Sequence, residues 1–136
     1  MLLVFTQSGC GPCGEIVPEL NRVQSQGRLH VLVVNNGPVE ETRMWASEVE
    51  ARFPVLAQDS FTLSKRYEAF ATPFAFLIDE GGRIASKGIV GSRQHLGYVV
   101  GGAGRRLQHH DAETGSDARD SSRSGRSLSS EEVSHA

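Results

Sequence analysis

The 136-residue sequence has little cysteine and no strong excess of either charge. Its two cysteines, Cys10 and Cys13, are too few for a disulfide framework or a four-cysteine zinc site. Lys and Arg number 14 and Asp and Glu number 16, which gives a formal net charge of −2. That balance provides neither the basic footprint typical of nucleic-acid binding nor a polybasic signal for a membrane surface. We therefore expect no nucleic-acid partner and no membrane contact in this chain.

Long hydrophobic runs are also missing. The apolar runs are short, as at residues 2–5 and 31–34, and cannot cross a bilayer. The first residues contain no cationic segment followed by an apolar stretch of about 7–15 residues, as a secretory signal would. On the residues alone we therefore expect neither a signal nor an anchor, and the compartment is left open.

The composition changes sharply after about Gly104. Residues 105–136 contain no aromatic residue and eight serines, and their five arginines and six acidic residues follow no hydrophobic period. Such a segment cannot bury enough apolar surface to offset the entropy of ordering it. Its three histidines, His109, His110 and His135, are more typical of solvated spacers than of a metal site. We predict one domain over residues 1–104 and a disordered tail, rich in Ser, Arg, Asp and Glu, over residues 105–136.

Within residues 1–104, apolar runs alternate with segments of helical spacing, which is typical of an α/β fold. Buried strands are predicted at residues 2–6 and 30–35, and two further strands at residues 74–78 and 84–90. Helices are predicted at residues 13–26, 40–53 and 61–70, and from the N-cap Ser92 to about Gly101. In this β-α-β-α-(α)-β-β-α order, the first two strands are parallel and the last two form an antiparallel hairpin. We expect a mixed sheet with helices on both faces.

The sulfur chemistry is concentrated in Cys10-Gly11-Pro12-Cys13, where a buried strand ends and a helix begins. The unpaired N–H groups and the positive dipole end of a helix stabilise a thiolate, which lowers the pKa of a cysteine below its ordinary value of about 8.5. Pro12 suits the first helical turn, because its missing N–H would be unpaired there anyway. We predict that Cys10 attacks a disulfide of a substrate and that Cys13 resolves the mixed disulfide.

Three other interpretations of the cysteine pair are open. A structural disulfide would close so short a loop that the gain in chain entropy is small. A zinc half-site would need a second pair of ligands, and His30 and His95 are isolated. The third interpretation is that the pair fills space without reacting. We favour redox chemistry because of the strand-to-helix position, and we expect no metal ion and no cofactor.

Thr72-Pro73 is the second feature of interest. Proline is poorly tolerated inside a central strand but is allowed at its start, and the predicted strand at residues 74–78 follows directly. Base rates favour a trans bond before proline. A cis bond would place the backbone of Thr72 beside the redox pair. The residues alone leave both isomers open.

Three features together resemble the thioredoxin superfamily: LLVFTQSGCGPC, Pro18 eight positions after the first cysteine, and ATPFAFLIDEGGRI. Within it, the chain is similar to the TlpA-like group, the membrane-tethered, extracytoplasmic thiol-disulfide oxidoreductases of bacteria. The stretch from Pro54 through ATPFAFLID to KGIVGSRQHL is most similar to the thioredoxin-like accessory proteins of methylamine dehydrogenase maturation. The resemblance covers about residues 2–101. It implies a thioredoxin-like fold of three layers, α/β/α, with the order β-α-β-α-β-β-α, truncated at the N-terminus.

The resemblance also implies a role for each site residue. Cys10 matches the attacking cysteine, Cys13 the resolving cysteine, and Pro73 the cis-proline that faces them. Pro18 matches the proline that bends the first long helix. The active-site loop and substrate groove would comprise Gly11, Pro12, Thr72 and Pro73. The implied partners are a disulfide-bearing protein substrate and an upstream redox donor. If the start of the chain is truncated, the resemblance implies an extracytoplasmic, membrane-tethered protein.

Several positions depart from the family pattern. Gly9 replaces the aromatic residue before the first cysteine, Val4 replaces the buried aspartate of thioredoxin, and Ile16 replaces a glutamate of some TlpA-like proteins. Glu15 is about 100° away from that helix face, so we interpret it as a solvated acid. The chain begins directly on the strand before the cysteines, whereas tethered relatives carry an anchor and further strands first. We therefore expect an exposed sheet edge and marginal stability.

Three functions remain to be compared. We predict an enzyme, a thiol-disulfide oxidoreductase acting on protein disulfides, and the Gly-Pro spacer resembles reducing members. A maturation partner that serves a single client is the second hypothesis. A thiol peroxidase is the third, because the stretch from Asp59 through Tyr67 to Ile78 also resembles peroxiredoxins. Those proteins carry a threonine three residues before the reactive cysteine, where this chain has Gln7.

Overall fold

The computed structural model describes residues 1–102, and all structural statements below concern this range. Within it, the chain forms five strands and five helices. Their order is β1 (Leu2–Gln7), α1 (Gly11–Glu15), α2 (Val17–Ser25), β2 (Val31–Asn36), α3 (Val39–Glu48), β3 (Val55–Gln58), α4 (Thr62–Arg66), β4 (Phe74–Ile78), β5 (Ile84–Ile89) and α5 (Arg93–Val100).

The strands form one sheet in the order β3-β2-β1-β4-β5. β2 is parallel to both of its neighbours, β1 and β3, whereas β4 is antiparallel to β1 and β5. β1 is therefore the central strand, and its Val4 lies between Val33 of β2 and Ala75 of β4. The mixed sheet is confirmed, including the parallel first pair and the antiparallel hairpin.

Alternate residues of β1 enter two separate hydrophobic clusters, because successive side chains of a strand point to opposite faces of a sheet. Leu2 and Val4 pack with buried residues of α2 and α5 on one face. Leu3 and Phe5 pack on the other face, in a cluster that also contains Leu63 of α4. Helices therefore cover both faces, which gives the predicted three layers.

β3 is a strand that the sequence pattern does not predict. It has four residues, VLAQ, and their burial does not follow the regular alternation of a half-buried strand. It pairs with β2 from Val33 opposite Val55 to Asn36 opposite Gln58. The edge of the sheet on this side is therefore β3 and not β2.

The predicted helix over residues 13–26 is divided into two shorter helices. α1 ends and α2 begins around Ile16, which adopts helical dihedral angles and donates its N–H to the carbonyl oxygen of Pro12 at 3.2 Å. Pro18 lies in the first turn of α2. A proline lacks the N–H that an unbroken helix would use, so this position favours a new helix start.

The next two helices are shorter than predicted. α3 ends at Glu48 instead of residue 53, and Glu50 just beyond it has a φ of +58°. α4 lies between Phe61 and Glu68, whose φ angles are +54° and +57°. A residue in the left-handed region cannot continue a right-handed helix, so these residues limit both elements.

The last helix agrees with the prediction. The Ser92 side chain caps α5 by accepting the N–H of His95 at 3.1 Å, and Gly101 ends the helix.

No helix within residues 1–102 is long and apolar enough to cross a membrane. The predicted tail over residues 105–136, and the domain boundary at residue 104, lie outside the described residues.

Candidate active site

The two cysteines lie where β1 passes into α1. β1 ends at Gln7, and the chain turns through Gly9, whose φ is +84°. Cys10 is the N-cap of α1: its backbone is extended, and its Sγ accepts the N–H of Cys13 at 3.2 Å. Cys10 and Cys13 form a disulfide with a Cα–Cα distance of 5.3 Å. The local fold therefore brings both sulfurs to the end of the central strand.

The two cysteines differ in their access to solvent. Cys13 is fully buried, whereas Cys10 is half-buried and is flanked by the exposed residues Gly9, Gly11 and Pro12. Ideal Cβ atoms built on either glycine would meet no heavy atom within 4 Å. The surface around Cys10 is therefore open, and an incoming molecule meets Cys10 before Cys13.

Thr72 and Pro73 lie at the same end of the strands as the cysteines. Their peptide bond is cis, as the resemblance predicts. Antiparallel pairing places Phe74 of β4 opposite Phe5 of β1, so the residues that precede β4 lie beside the end of β1 that leads to Cys10. Pro73 is buried, and its carbonyl oxygen accepts the N–H of Val90 at 2.9 Å.

A buried polar network lies beside residues 8–10, the redox loop. The sequence pattern does not predict this network. Asn35, at the end of β2, is fully buried. Its Oδ1 accepts the hydroxyl of Thr6 at 2.8 Å, and its Nδ2 donates to Ser8 Oγ at 3.1 Å and to Thr42 Oγ1 at 3.0 Å. The amide thus connects the end of β1, the loop before Cys10 and helix α3. Its sequence signal is a polar residue at the end of a buried apolar strand.

The positions that depart from the family pattern lie as follows. Val4 is fully buried and Ile16 is 2% exposed, and both belong to the apolar core. Glu15 is exposed on α1, in agreement with its interpretation as a solvated acid. These two departing positions thus hold apolar core residues, and the carboxylate next to Ile16 is exposed to solvent.

Solved structures define the fold class. The structure has a TM-score of 0.66 to a putative thiol:disulfide interchange protein DsbE from Chlorobium tepidum, with 24% identity, covering 73% of this chain and 75% of that one. It has a TM-score of 0.63 to a secreted disulfide oxidoreductase from Mycobacterium tuberculosis, described as homologous to E. coli DsbE, with 17% identity, covering 73% of this chain and 78% of that one. The fold is therefore thioredoxin-like.

A family model and several curated relatives carry the identification further. The AhpC/TSA family model matches residues 1–87, and the chain belongs to this family. The methylamine utilization protein MauD of Methylophilus methylotrophus is 25% identical over 97 residues, and that of Paracoccus denitrificans is 26% identical over 98 residues. Both matches cover 70% of this chain but only 44% and 47% of the relatives. The chain thus spans less than half the length of these relatives. The predicted resemblance to thioredoxin-like proteins of methylamine utilization is confirmed.

Proposed function

We propose that the chain is a thiol-disulfide oxidoreductase that exchanges its Cys10–Cys13 pair with disulfides of protein substrates. The observation that carries this proposal is the difference in exposure between the two cysteines. Cys10 is accessible at the N-cap of α1, whereas Cys13 is wholly buried behind it. Disulfide exchange through a mixed disulfide requires two cysteines. One must be accessible to the substrate, and the other must lie within bonding distance of the first.

The exchange has two steps. The thiolate of Cys10 attacks one sulfur of the substrate disulfide, forming a mixed disulfide while the other substrate sulfur leaves as a thiolate. Cys13, as a thiolate, then attacks Sγ of Cys10, which restores the Cys10–Cys13 disulfide and releases the second substrate thiolate. Two electrons pass from the protein to the substrate, and an upstream dithiol donor returns two electrons to the pair.

Gly11, Pro12, Thr72 and Pro73 form the proposed contact surface for the substrate. Gly11 and Pro12 are exposed beside Cys10. The antiparallel register of β1 and β4 brings Thr72 and Pro73 to the same end of the strands. In this proposal the chain before β4 and the loop before α1 hold the substrate segment on either side of its reacting sulfur.

Reduction of insulin tests the proposed exchange. With dithiothreitol as the donor, the wild type is expected to accelerate the precipitation of insulin, measured as turbidity, and Cys10→Ser is expected to give the uncatalysed rate. Cys13→Ser is the matched variant, since it keeps the attacking sulfur but lacks the resolving one. Equal rates for the wild type and Cys10→Ser would exclude Cys10 as the nucleophile.

A second proposal, maturation of one client protein, is favoured by the similarity to MauD proteins of methylamine utilization. In this case insulin is a poor substrate, and Cys13→Ser captures one client as a mixed disulfide through Cys10. Non-reducing electrophoresis of the trapped complexes distinguishes the two proposals. Capture of many proteins contradicts service to a single client.

We prefer disulfide exchange to peroxide reduction. Gln7, three residues before Cys10, is the exposed last residue of β1, where the resemblance to peroxiredoxins would require threonine. Hydrogen peroxide consumption by the reduced protein is therefore expected to match that of a free thiol. Consumption that is orders of magnitude faster, and lost in Cys10→Ser, would reverse this preference.

We further propose an extracytoplasmic location. The support is the resemblance to tethered oxidoreductases and the similarity to a Mycobacterium tuberculosis protein described as secreted. Protein disulfides, the proposed substrates, also form and persist mainly in oxidising compartments. The genomic sequence upstream of Met1 tests the proposal: an in-frame anchor supports it, and an in-frame stop codon with no anchor contradicts it.

A further inference from the structure

A small cleft lies between helix α3 and the loop that precedes Cys10. Its volume is about 240 Å³, and it is lined by Ser8, Gly9, Glu41, Met44, Trp45 and Glu48. Gly9 has no side chain to fill the space, and the Cα of Cys10 is only about 3.8 Å further along the chain. The cleft therefore begins at the residue before the proposed nucleophile.

The α3 wall of the cleft is one continuous stripe of the helix. Residues 41, 44, 45 and 48 are three or four positions apart, so their side chains share one face. Trp45 is half-buried: it packs against the hydrophobic core, and its indole Nε1 would lie 4.0 Å from a Cβ built on Gly14 of α1. Met44 is 61% exposed. The middle of the stripe is thus apolar and lies close to the helix that carries Cys13.

The ends of the stripe are acidic. A Cβ built on Gly37 would come within 3.2 Å of Glu41 Oε1 and 2.5 Å of Ser8 Oγ, which places this carboxylate beside the redox loop. Within residues 1–102, neither Glu41 nor Glu48 forms an ion pair, whereas the adjacent Glu40 pairs with Arg43 at 2.9 Å. Among residues 1–102, no Lys or Arg lines the cleft. The negative charge of the cleft is therefore not neutralised by the described part of the chain.

We propose that this cleft receives a lysine or arginine side chain of the substrate protein, one or two residues from the cysteine that pairs with Cys10. The volume suits a single long side chain. Its aliphatic stem would lie against Met44 and Trp45, where a cation also gains from the indole ring, and its charge would lie between the two carboxylates. The inference rests on the proposed exchange reaction and specifies which disulfides it selects.

Peptides with a single cysteine, blocked as a mixed disulfide with 5-thio-2-nitrobenzoate, test the selection. Three peptides differ only at the residue next to the cysteine, which is Arg, Gln or Glu, and release of thionitrobenzoate by the reduced protein is followed by absorbance. Each rate constant is divided by that of glutathione with the same peptide, which removes the intrinsic reactivity. We expect the wild type to prefer the Arg peptide over the Glu peptide by about fivefold or more at low salt, and less at high salt.

Charge-neutral variants assign the preference to the cleft. Glu41→Gln and Glu48→Gln are each expected to lower the Arg-to-Glu rate ratio by about two- to fivefold. Glu40→Gln is the matched control, because it removes the same charge from the same helix but outside the cleft, and it is expected to keep the ratio of the wild type.

Each outcome decides one point. Equal corrected rates with the Arg and Glu peptides, a preference for the Gln peptide over both, or a ratio unchanged in both cleft variants would overturn the inference. Loss of the ratio in Glu40→Gln as strongly as in the cleft variants would also overturn it. Each of these outcomes can occur while the wild type still reduces insulin, so the inference about the cleft can fail while the proposed exchange stands. Failure of the wild type to reduce insulin would contradict the proposed exchange itself.

Discussion

At the residue scale, Asn35 has the largest number of partners in the buried polar network. Its side-chain oxygen and nitrogen bind three hydroxyl groups that belong to β1, the redox loop and α3. A buried polar group costs free energy unless its hydrogen bonds are made, so the amide and its partners depend on each other. The position of Ser8, two residues before Cys10, therefore depends on a side chain from another strand.

Asn35→Ala is expected to lower the free energy of unfolding by about 2–3 kcal/mol, because it leaves buried hydroxyls without a partner. The matched control is Asn21→Ala. The Asn21 side chain makes two hydrogen bonds, to the backbone of Glu50 and Arg52, in an exposed setting. We expect a loss of about 1 kcal/mol or less there. Urea denaturation of the oxidised proteins measures both, and equal losses would contradict the importance of burial.

Gly9 and Gly11 give a second matched pair. A Cβ on either would enter open space, but only Gly9 has a positive φ, of +84°. Gly9→Ala is expected to be destabilising by about 1 kcal/mol, because an L-residue is strained in this region. Gly11→Ala is expected to leave stability unchanged or raise it by up to about 1 kcal/mol. Thermal unfolding compares the two, and equal melting temperatures would refute a backbone requirement for glycine at position 9.

At the element scale, an aromatic cluster fixes the short helix α4 and the loop after it to the sheet. Phe76 of β4 is fully buried and lies 5.9, 5.3 and 5.1 Å, between ring centroids, from Phe5, Tyr67 and Phe74. Phe70 is 80% exposed and touches only the ring of Phe74, at 5.3 Å, among the described aromatic pairs. The two phenylalanines thus differ in burial but share a neighbour.

Phe76→Leu is expected to reduce the free energy of unfolding by about 1–3 kcal/mol, through loss of packed volume and ring contacts. Phe70→Leu is the corresponding change at an exposed site, with an expected effect within about 0.5 kcal/mol. Chemical denaturation gives both values. Similar losses in the two variants would mean that the cluster does not support α4.

Elements with a strong local signal were predictable, and those defined by tertiary contacts were not. β1 and β4 were found because their apolar runs are continuous, and the redox pair because its cysteines follow such a run. β3 was missed because its pairing with β2, and not its own four-residue sequence, defines it as a strand. Asn35 was predicted only as the end of a strand, since its partners lie in other elements: Thr6 and Ser8 are far from it in the chain, and Thr42 belongs to the next helix.

At the scale of the whole molecule, the proposed direction of electron flow has a measurable consequence. The Gly-Pro spacer resembles that of reducing members of the superfamily, whose potentials extend to about −270 mV. We therefore expect a reduction potential below about −150 mV. Equilibration in glutathione buffers, followed by alkylation of free thiols and gel electrophoresis, measures it. A value above this limit would indicate an oxidant.

The central place of β1 determines when the site is completed during synthesis. β1 precedes all of its partners in the described chain, and its two hydrogen-bonding edges are closed by β2 and by β4, which ends at Ile78. Pairing across so many residues forms late, because the entropy of loop closure opposes it. The thiols of Cys10 and Cys13 therefore leave the ribosome long before the fold that buries one of them, and they are both reactive during that interval.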